Sequence, residues 1–256
     1  MLEGGLLLKK FLLMAVLFLC GCQSVHIPET FAYKEIKTDK FTLASWQKLT
    51  DVQAPIKIYI EGDGYAFNAL GRPTKDPTPR GKVLREIAFG DNSPNVVYLA
   101  RPCQFVKDNQ CQQKYWTSAR FSKEVIDSEK EAVLELAQNR PTILIGFSGG
   151  AQVAGLIAVT SPELEVKKMI TIAGNLDHRA WADYHHVATL SESLNLADYK
   201  EQYLLLPQEH YVGYKDKVVP MFLTEDFVDA KTIIEVPDAE HGKGWERIYP
   251  LIQLER

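Results

Sequence analysis

Short runs of β-branched and aromatic residues alternate along the chain with longer segments whose apolar positions have helical spacing. The runs that predict strands lie at residues 31–36, 41–46, 56–60, 95–100, 142–146, 168–173, 202–206 and 232–236. The segments that predict helices lie at residues 82–89, 122–138, 149–159 and 245–254, and Pro250 is expected to end or kink the last one. Strands that alternate with helices indicate a mostly parallel sheet flanked by crossover helices, so the sequence predicts an α/β fold.

No change in composition divides the chain after residue 22. Residues 23–256 contain no Gly/Ser-rich linker, repeat or low-complexity tract, and their length suits one large α/β domain. Residues 175–200 lie between two predicted strands and have mixed character, which suits a small lid of two short helices. We therefore predict a single domain with a short lid.

The first 22 residues have the pattern of an export signal. Lys9 and Lys10 precede an unbroken apolar run at residues 11–20. That run is shorter than the roughly 20 residues that cross a bilayer, and it suits the apolar region of a signal peptide. An ordinary secretory signal and a simple membrane anchor both remain open as readings of this segment.

The sequence that follows the apolar run resembles the bacterial lipobox, because Leu19 and Gly21 stand at the −3 and −1 positions relative to Cys22. This resemblance implies that Cys22 is lipidated and anchors the protein to a membrane. Gln23, rather than Asp, follows the cysteine, and the resemblance then implies sorting to the outer membrane, with the domain facing the periplasm. We expect an exported, lipid-anchored protein of the cell envelope.

The charge balance argues against a nucleic-acid partner. The chain carries a net charge of −4, and 24% of its residues are charged. Loss of residues 1–21 would remove two lysines and one glutamate, which makes the mature chain slightly more acidic. Nucleic-acid binding needs clustered Lys and Arg, so we predict no such partner. The sequence does not predict an oligomeric state.

Two cysteines remain after the predicted signal, Cys103 and Cys111. In an exported chain an even number of cysteines at short spacing favours a disulfide. Closure of so short a loop would stabilise the fold by about 2–3 kcal/mol. A metal site and a pair of free thiols are the alternatives.

The strongest chemical signal is the sequence Gly146-Phe147-Ser148-Gly149-Gly150, which lies between a buried predicted strand and an apolar predicted helix. A serine hydroxyl is a weak nucleophile that must be exposed beside a base. A sharp strand-to-helix turn exposes it, and the residues two before and two after must then be small. The alternative is a glycine-rich loop that only packs.

With this motif and two later loops, the mature chain resembles the α/β-hydrolase superfamily over essentially its whole length. The family's acid loop is similar to residues 213–220, and its terminal histidine turn is similar to residues 238–242. The resemblance implies an α/β-hydrolase fold of about eight strands and a catalytic triad of Ser148, Asp216 and His241. His241 would act as the base and Asp216 would orient it.

Simpler interpretations of the two partners stay open. Asp216 lies between two lysines and is also consistent with a solvated turn, and His241 is also consistent with a surface loop. Asp238 and Glu209 are competing acids. Asp238 is only three residues from His241, which is too close in sequence to reach behind the ring.

The resemblance also implies an oxyanion hole, built from two backbone N–H groups. The first donor is expected to be Gly149, and the second to come from the loop at residues 61–65, where the family often carries His-Gly. This chain has no histidine there. We predict the N–H of Tyr65 as the second donor, with Asp63 either tying the loop down or setting specificity.

Candidate substrate-binding residues follow the fourth predicted strand. Arg101 and Arg120 are each suited to bind a carboxylate or phosphate, although pairing with structural acids is the favoured interpretation for both. Tyr115 and Trp116 are equally consistent with a wall of the cleft and with plain packing.

A group of histidines and aspartates invites a metal-site interpretation. Its members are Asp177, His178, Asp183, His185 and His186. Adjacent histidines point to different faces, and the HExxH spacing is absent. We predict no metal and no cofactor here, and we expect these histidines on an exposed lid.

Two functions therefore follow from the sequence. The first is a serine hydrolase that cleaves an ester, thioester or amide of a small-molecule or acyl substrate. The alternative is an envelope lipoprotein that uses the hydrolase scaffold for binding without turnover, because a fold does not fix a function.

Overall fold

The computed structural model describes residues 25–254 of the chain, so the predicted signal peptide and Cys22 lie outside the described residues. Within that range lies one eight-stranded sheet. Its strands are β1 (Ala32–Lys37), β2 (Thr42–Leu49), β3 (Ile56–Ile60), β4 (Asn95–Leu99), β5 (Thr142–Phe147), β6 (Val166–Ile172), β7 (Gln208–Gly213) and β8 (Ile233–Val236). Their order across the sheet is β1-β2-β4-β3-β5-β6-β7-β8. The pairs β1–β2 and β2–β4 are antiparallel, and the other neighbours are parallel.

Helices cover both faces of this sheet. They are α1 (Val83–Gly90), α2 (Lys123–Ala137), α3 (Gly149–Thr160), α4 (His178–His185), α5 (Lys200–Tyr203), α6 (Met221–Glu225) and α7 (Tyr249–Leu254). Short 3₁₀ turns occupy Gln113–Trp116, Leu196–Tyr199, Ala230–Thr232 and Glu246–Ile248. Apolar side chains of α2 and α3 belong to one buried cluster, and those of α1 and α7 belong to a second. The predicted α/β architecture is confirmed.

The central strands are buried on both faces, as parallel strands between two helix layers must be. Every residue of β3 and β4 is buried, and β5 is buried as far as Gly146. Their continuous apolar sequences follow from this position. Since parallel strands end at the same edge, the loops after β3, β5, β7 and β8 emerge together there, which is where sites form in such sheets.

The prediction of a strand at residues 202–206 is wrong. The first half of that segment forms α5, and the strand itself is β7, which begins two residues later. Leu205 is 85% exposed, because the apolar run ends on a surface turn. By contrast, β7 carries a buried His210, whose ring nitrogens lie 2.8 Å from the side-chain oxygens of Thr171 and Gln208. Because its buried His210 is polar and pairs with other polar side chains, β7 lacks the continuous apolar pattern from which a buried strand is predicted.

Two smaller predictions have clear outcomes. The disulfide between Cys103 and Cys111 is present, with 5.6 Å between their Cα atoms. The last helix is not continuous over residues 245–254, because a 3₁₀ turn precedes α7 and Pro250 lies in the first turn of that helix. A proline is tolerated there because its missing N–H would have no intrahelical acceptor. Within residues 25–254, no helix is both long and apolar enough to cross a bilayer.

Candidate active site

Ser148 lies at the sharp turn between β5 and α3. Its backbone has φ 51° and ψ −122°, in a region that residues other than glycine rarely adopt. A Cβ on Gly146 would lie 2.4 Å from the Cα of Ala151, and one on Gly150 would lie 2.2 Å from the carbonyl oxygen of Ile60. The two glycines therefore let the turn close, and the strained turn exposes the hydroxyl.

Ser148, Asp216 and His241 come together at the carboxyl edge of the sheet. His241 Nε2 lies 3.0 Å from Ser148 Oγ, and its Nδ1 lies 2.8 Å from Asp216 Oδ2. Asp216 is buried, and its Oδ1 accepts hydrogen bonds from the N–H groups of Val218 and Val219 at 2.8 and 2.9 Å. These bonds fix the carboxylate so that only Oδ2 faces the imidazole.

The competing acids do not reach the imidazole. Asp238 is exposed and pairs with Lys215 at 3.0 Å, and Glu209 pairs with Lys168 at 2.7 Å. Neither carboxylate contacts His241 within the part of the chain that the structure describes. Among these three acids, Asp216 is therefore the one whose carboxylate contacts the imidazole of His241.

Comparison with solved structures places this arrangement in a known fold. The chain is similar to Est1E from Butyrivibrio proteoclasticus, with 11% identity, a TM-score of 0.57, and 86% of this chain and 94% of that chain covered. It is similar to the esterase domain from a Rhodothermus marinus protein, with 15% identity, a TM-score of 0.57, and 87% and 96% covered. The thioesterase domain from the curacin biosynthetic pathway has 12% identity, a TM-score of 0.58, and 87% and 98% covered.

The chain has the α/β-hydrolase fold. No protein-family model and no curated protein matches it, so the likeness is one of structure at low sequence identity. The family resemblance noted in the sequence is confirmed at the level of the fold. In this chain the loop after β3 reaches Ser148, since a Cβ built on Gly62 would lie 3.2 Å from the Cβ of Ser148.

A cleft of about 340 Å³ opens above Ser148, near the lower end of the roughly 300–1,000 Å³ range of small-molecule sites. Its walls are mainly apolar. They are built by Phe67, Val83, Leu84, Phe121, Phe147, Trp181, Leu190 and Val218. Trp181 and Leu190 come from the segment predicted as a lid, which forms one wall. Movement of that segment as a lid stays a prediction.

The predicted oxyanion donor Tyr65 is wrong, because its N–H already donates to the carbonyl of Pro77 at 2.9 Å. The N–H of Gly62 is likewise occupied by the side chain of Glu61, at 2.8 Å. No acceptor for the N–H of Asp63 occurs among residues 25–254. The N–H of Gly64 has no acceptor among these residues either, so the loop leaves both N–H groups available. That of Asp63 is the nearer in sequence to Gly62, where an added Cβ would lie 3.2 Å from the Cβ of Ser148.

Gln104 holds the peptide that carries this N–H, a contact that the sequence did not reveal. Its Nε2 donates to the carbonyl of Gly62 at 3.0 Å, and its Oε1 accepts from the N–H of Arg101 at 3.1 Å. Across a trans peptide the C=O and N–H point in opposite directions, so the N–H of Asp63 points away from Gln104. The neighbouring Cys103 is tied to Cys111, which fixes the segment that carries Gln104.

Asp63 takes part in a network of charges beside Ser148. Arg120 Nη1 lies 2.6 Å from Asp63 Oδ2, and Arg101 Nη1 lies 3.6 Å from Asp63 Oδ1. Arg101 Nε also lies 3.4 Å from Glu129 Oε1. Burial raises the pKa of Glu129 to about 8, although Arg101 opposes the shift. At neutral pH Glu129 is therefore mostly protonated, so the positive charge of Arg101 is balanced by Asp63 rather than by Glu129.

Three predicted substrate-binding residues do not line the cleft. Arg101 is buried against acidic partners, which agrees with the favoured structural interpretation. Tyr115 is buried with its ring edge-on to Phe41, at 4.9 Å between centroids. The indole N–H of Trp116 donates to the carbonyl of Thr74 at 3.1 Å. Of the candidate substrate-binding residues, Asp63 and Arg120 line the cleft.

The three histidines considered as metal ligands have different surroundings and share no contact that is shown here. His178 is buried rather than exposed, with Nε2 3.2 Å from the carbonyl of Leu194. His185 Nε2 lies 2.8 Å from the carbonyl of Val218, and His186 ends α4 in a left-handed conformation. Among the described residues no three His, Cys, Asp or Glu side chains form a group that could hold a metal ion.

Proposed function

We propose that the protein is a serine hydrolase that cleaves an ester, thioester or amide bond through a covalent acyl-enzyme. The observation that carries this proposal is the continuous line of hydrogen-bond contacts from Ser148 Oγ through His241 to Asp216, at 3.0 and 2.8 Å. A strained nucleophile, a base within hydrogen-bond distance and a buried acid behind it are the parts that acyl transfer needs.

In the first half of the reaction, Ser148 Oγ bonds to the substrate's carbonyl carbon while His241 Nε2 takes the hydroxyl proton. The electron pair of the C=O π bond moves to the carbonyl oxygen. Collapse of this tetrahedral species breaks the bond to the leaving group, which takes the proton from His241. Water then repeats the two steps on the acyl-enzyme, and the acid product leaves Ser148 free.

Asp216 holds the imidazole of His241 in the tautomer that this reaction requires. Its Oδ2 accepts a hydrogen bond from the N–H at Nδ1, which leaves the lone pair on Nε2 facing Ser148. When His241 gains the serine proton, the buried carboxylate stabilises the resulting positive charge. The two N–H groups that hold Oδ1 keep the carboxylate in place throughout.

The developing oxyanion is stabilised by the N–H groups of Gly149 and Asp63. Gly149 is the first residue of α3, where N–H groups lack intrahelical acceptors and the helix dipole favours negative charge. The N–H of Asp63 comes from the peptide that Gln104 orients. Donors fixed before the reaction stabilise the transition state without reorganising, which is the largest single contribution in many such enzymes.

The cleft favours an uncharged acyl ester as the substrate class. Its walls are mainly apolar, and its one charged pair, Asp63 with Arg120, is already neutralised internally. A scan of nitrophenyl esters by acyl chain length would report the depth of the cleft directly.

Active-site labelling tests the proposal. A fluorophosphonate probe should label the wild-type protein covalently and should not label Ser148→Ala, whereas Ser161→Ala, a buried serine outside the cleft, should label normally. Folded wild-type protein that takes no label and hydrolyses no ester in a broad panel would instead support the non-catalytic lipoprotein.

We also propose that the protein is exported and lipidated at Cys22, which lies outside the described residues, and that it belongs to the outer membrane on its periplasmic side. The lipobox-like sequence supports this location. Radiolabelled palmitate should enter the wild-type chain and not Cys22→Ala, and fractionation should show the wild-type chain with the outer membrane. Equal label in both chains, or none in the wild type, would contradict lipidation at this residue.

A further inference from the structure

Exposed apolar side chains stand on both sides of the cleft mouth. The first side is the loop after β3, where Phe67 lines the cleft and is itself exposed. Leu70 is 76% exposed at the tip of this loop, in a turn closed by a hydrogen bond from the N–H of Gly71 to the carbonyl of Asn68. A single exposed leucine is ordinary, but exposed apolar side chains that are grouped around one opening mark an interaction site.

The second side of the mouth is formed by α4, α6 and the loop that carries Asp216. Val218 lines the cleft and is exposed, and Tyr184 packs edge-on against Phe222 at 5.1 Å, with both rings open to solvent. Val187, which follows α4, is also exposed. We define the mouth rim as these exposed residues of both sides: Phe67, Leu70, Tyr184, Val187, Val218 and Phe222.

Basic side chains surround the mouth rim although the chain as a whole is acidic. In the loop after β3 and in the loop that carries Asp216, four exposed cations have no carboxylate partner within residues 25–254: Arg72, Lys75, Arg80 and Lys217. On the same surface three exposed carboxylates, Asp183, Glu225 and Asp226, have no basic partner for their side chains within those residues, one fewer than the cations. The balance near the mouth is therefore positive, which is complementary to an anionic partner.

We propose that the mouth rim docks onto an anionic lipid surface, so that the cleft above Ser148 opens toward the membrane. Aromatic and aliphatic side chains flanked by Lys and Arg are the composition that binds at such interfaces. A protein seated on both sides of the mouth would close the cleft, whereas a lipid surface itself supplies acyl esters. The consequence for the substrate, a membrane-resident ester, rests on the proposed function.

The described chain begins close to the predicted anchor, which supports the same partner. From Cys22 to Val25 three residues of chain span at most about 11 Å. Val25 packs against the buried cluster that includes α1 and α7, so lipidation at Cys22 would hold the folded domain directly beside the bilayer. A domain held beside the bilayer must turn one face toward the lipid. The mouth rim, with the basic side chains around it, has the composition that suits that face.

Quenching of an added tryptophan by doxyl-labelled lipid tests the docking. The full chain is reconstituted into phosphatidylcholine vesicles that contain phosphatidylglycerol, as Leu70→Trp and, for a matched control, as Val52→Trp. Val52 is 75% exposed in the turn between β2 and β3, at the opposite edge of the sheet. The fluorescence added at residue 70 should be quenched and blue-shifted, and that added at residue 52 should not.

Neutral variants test the contribution of charge. In the Leu70→Trp background, Arg72→Gln or Lys217→Gln should each lower the ratio of docked to undocked protein about fivefold, since a basic residue near an anionic surface contributes that much. Lys167→Gln, an exposed lysine at the start of β6, should leave the ratio unchanged. Vesicles of phosphatidylcholine alone should give weaker quenching at residue 70.

Equal quenching at residues 52 and 70, or none at residue 70, would overturn the docking. Hydrolysis of a water-soluble ester separates this result from the proposed function, because Leu70 and Arg72 lie outside the catalytic residues and the cleft walls. Lost docking with intact soluble-ester hydrolysis would refute the docking alone. Retained docking with no hydrolysis would refute the proposed function alone.

Discussion

The carboxylate of Asp63 fills the space that a side chain at residue 149 would need. A Cβ built on Gly149 would lie 2.2 Å from Asp63 Oδ1. The same carboxylate is held from its other side by Arg120 and Arg101. Residue 149 is therefore glycine because the carboxylate of Asp63, in the loop at residues 61–65, packs against the first turn of α3.

We expect Gly149→Ala to displace Asp63 and, with it, the loop at residues 61–65. A shift of about 1 Å at a reacting centre lowers the rate roughly 100-fold, and kcat on a soluble ester should fall by about that factor with the fold intact. Gly90→Ala is the control, because a Cβ on Gly90 has open space within 4 Å. Wild-type kcat in Gly149→Ala would show that the contact with Asp63 does not position the loop.

Removal of the side chain that orients the Gly62–Asp63 peptide should lower kcat more than it raises KM. In Gln104→Ala the carbonyl of Gly62 loses its donor, and the N–H of Asp63 becomes less well aimed at the oxyanion. Complete loss of one such donor costs about 10²–10³-fold, so we expect a fall in kcat of about 10- to 100-fold. Gln112→Ala changes an exposed glutamine of the same loop and should leave kcat unaltered.

The acid that orients His241 can be identified with an isosteric substitution. In Asp216→Asn the N–H groups of Val218 and Val219 still require an acceptor, so the amide oxygen takes the place of Oδ1. The amide NH₂ then faces Nδ1 and donates to it, which moves the imidazole proton to Nε2 and leaves Ser148 without a base. The kcat should fall by roughly 10⁴-fold.

Asp238→Asn is the matched control for this substitution. Asp238 is three residues from His241, but it pairs with Lys215 on the surface, and its variant should keep wild-type kcat. An equal loss of activity in the two variants would contradict the assignment of Asp216 as the acid.

Much of this site follows from local sequence. The turn at Ser148 is readable because the buried strand, the two flanking small residues and the apolar helix are contiguous in the chain. Asp216 and His241 are readable because each follows the end of a strand in a similar short loop, and parallel strands bring such ends together. Although the sequence predicts β7 several residues too early, it still predicts the loop that carries Asp216, because the loop's own residues resemble the family's acid loop.

The remaining features depend on pairings between distant segments. Nothing near Tyr65 in the sequence shows that Pro77 accepts its N–H, and nothing near Gln104 shows that Gly62 is its partner. The same holds for the pair of Asp63 with Arg120, which are 57 residues apart. Polar partners of this kind leave no periodic pattern, so composition and spacing cannot place them.

The buried carboxyl of Glu129 should make the stability of the fold depend on pH. Burial raises its pKa from 4.5 to about 8. Between these values the folded protein retains a proton that the unfolded chain has released, so the free energy of unfolding falls as pH rises through this window. The slope of this contribution reaches at most about 1.4 kcal/mol per pH unit. His210 acts in the opposite sense at lower pH, because burial lowers its pKa from 6.5 to about 3.

The effect of Glu129 is therefore clearest between pH 6.5 and 8, above the range in which His210 contributes. Urea denaturation across this interval should give a falling free energy of unfolding for the wild-type chain. Glu129→Gln is isosteric and does not titrate, so its curve should be flatter. His210 is present in both chains and cancels in the difference. Parallel curves for the two chains would mean that Glu129 is already ionised in the folded state at pH 6.5, with Arg101 compensating its burial.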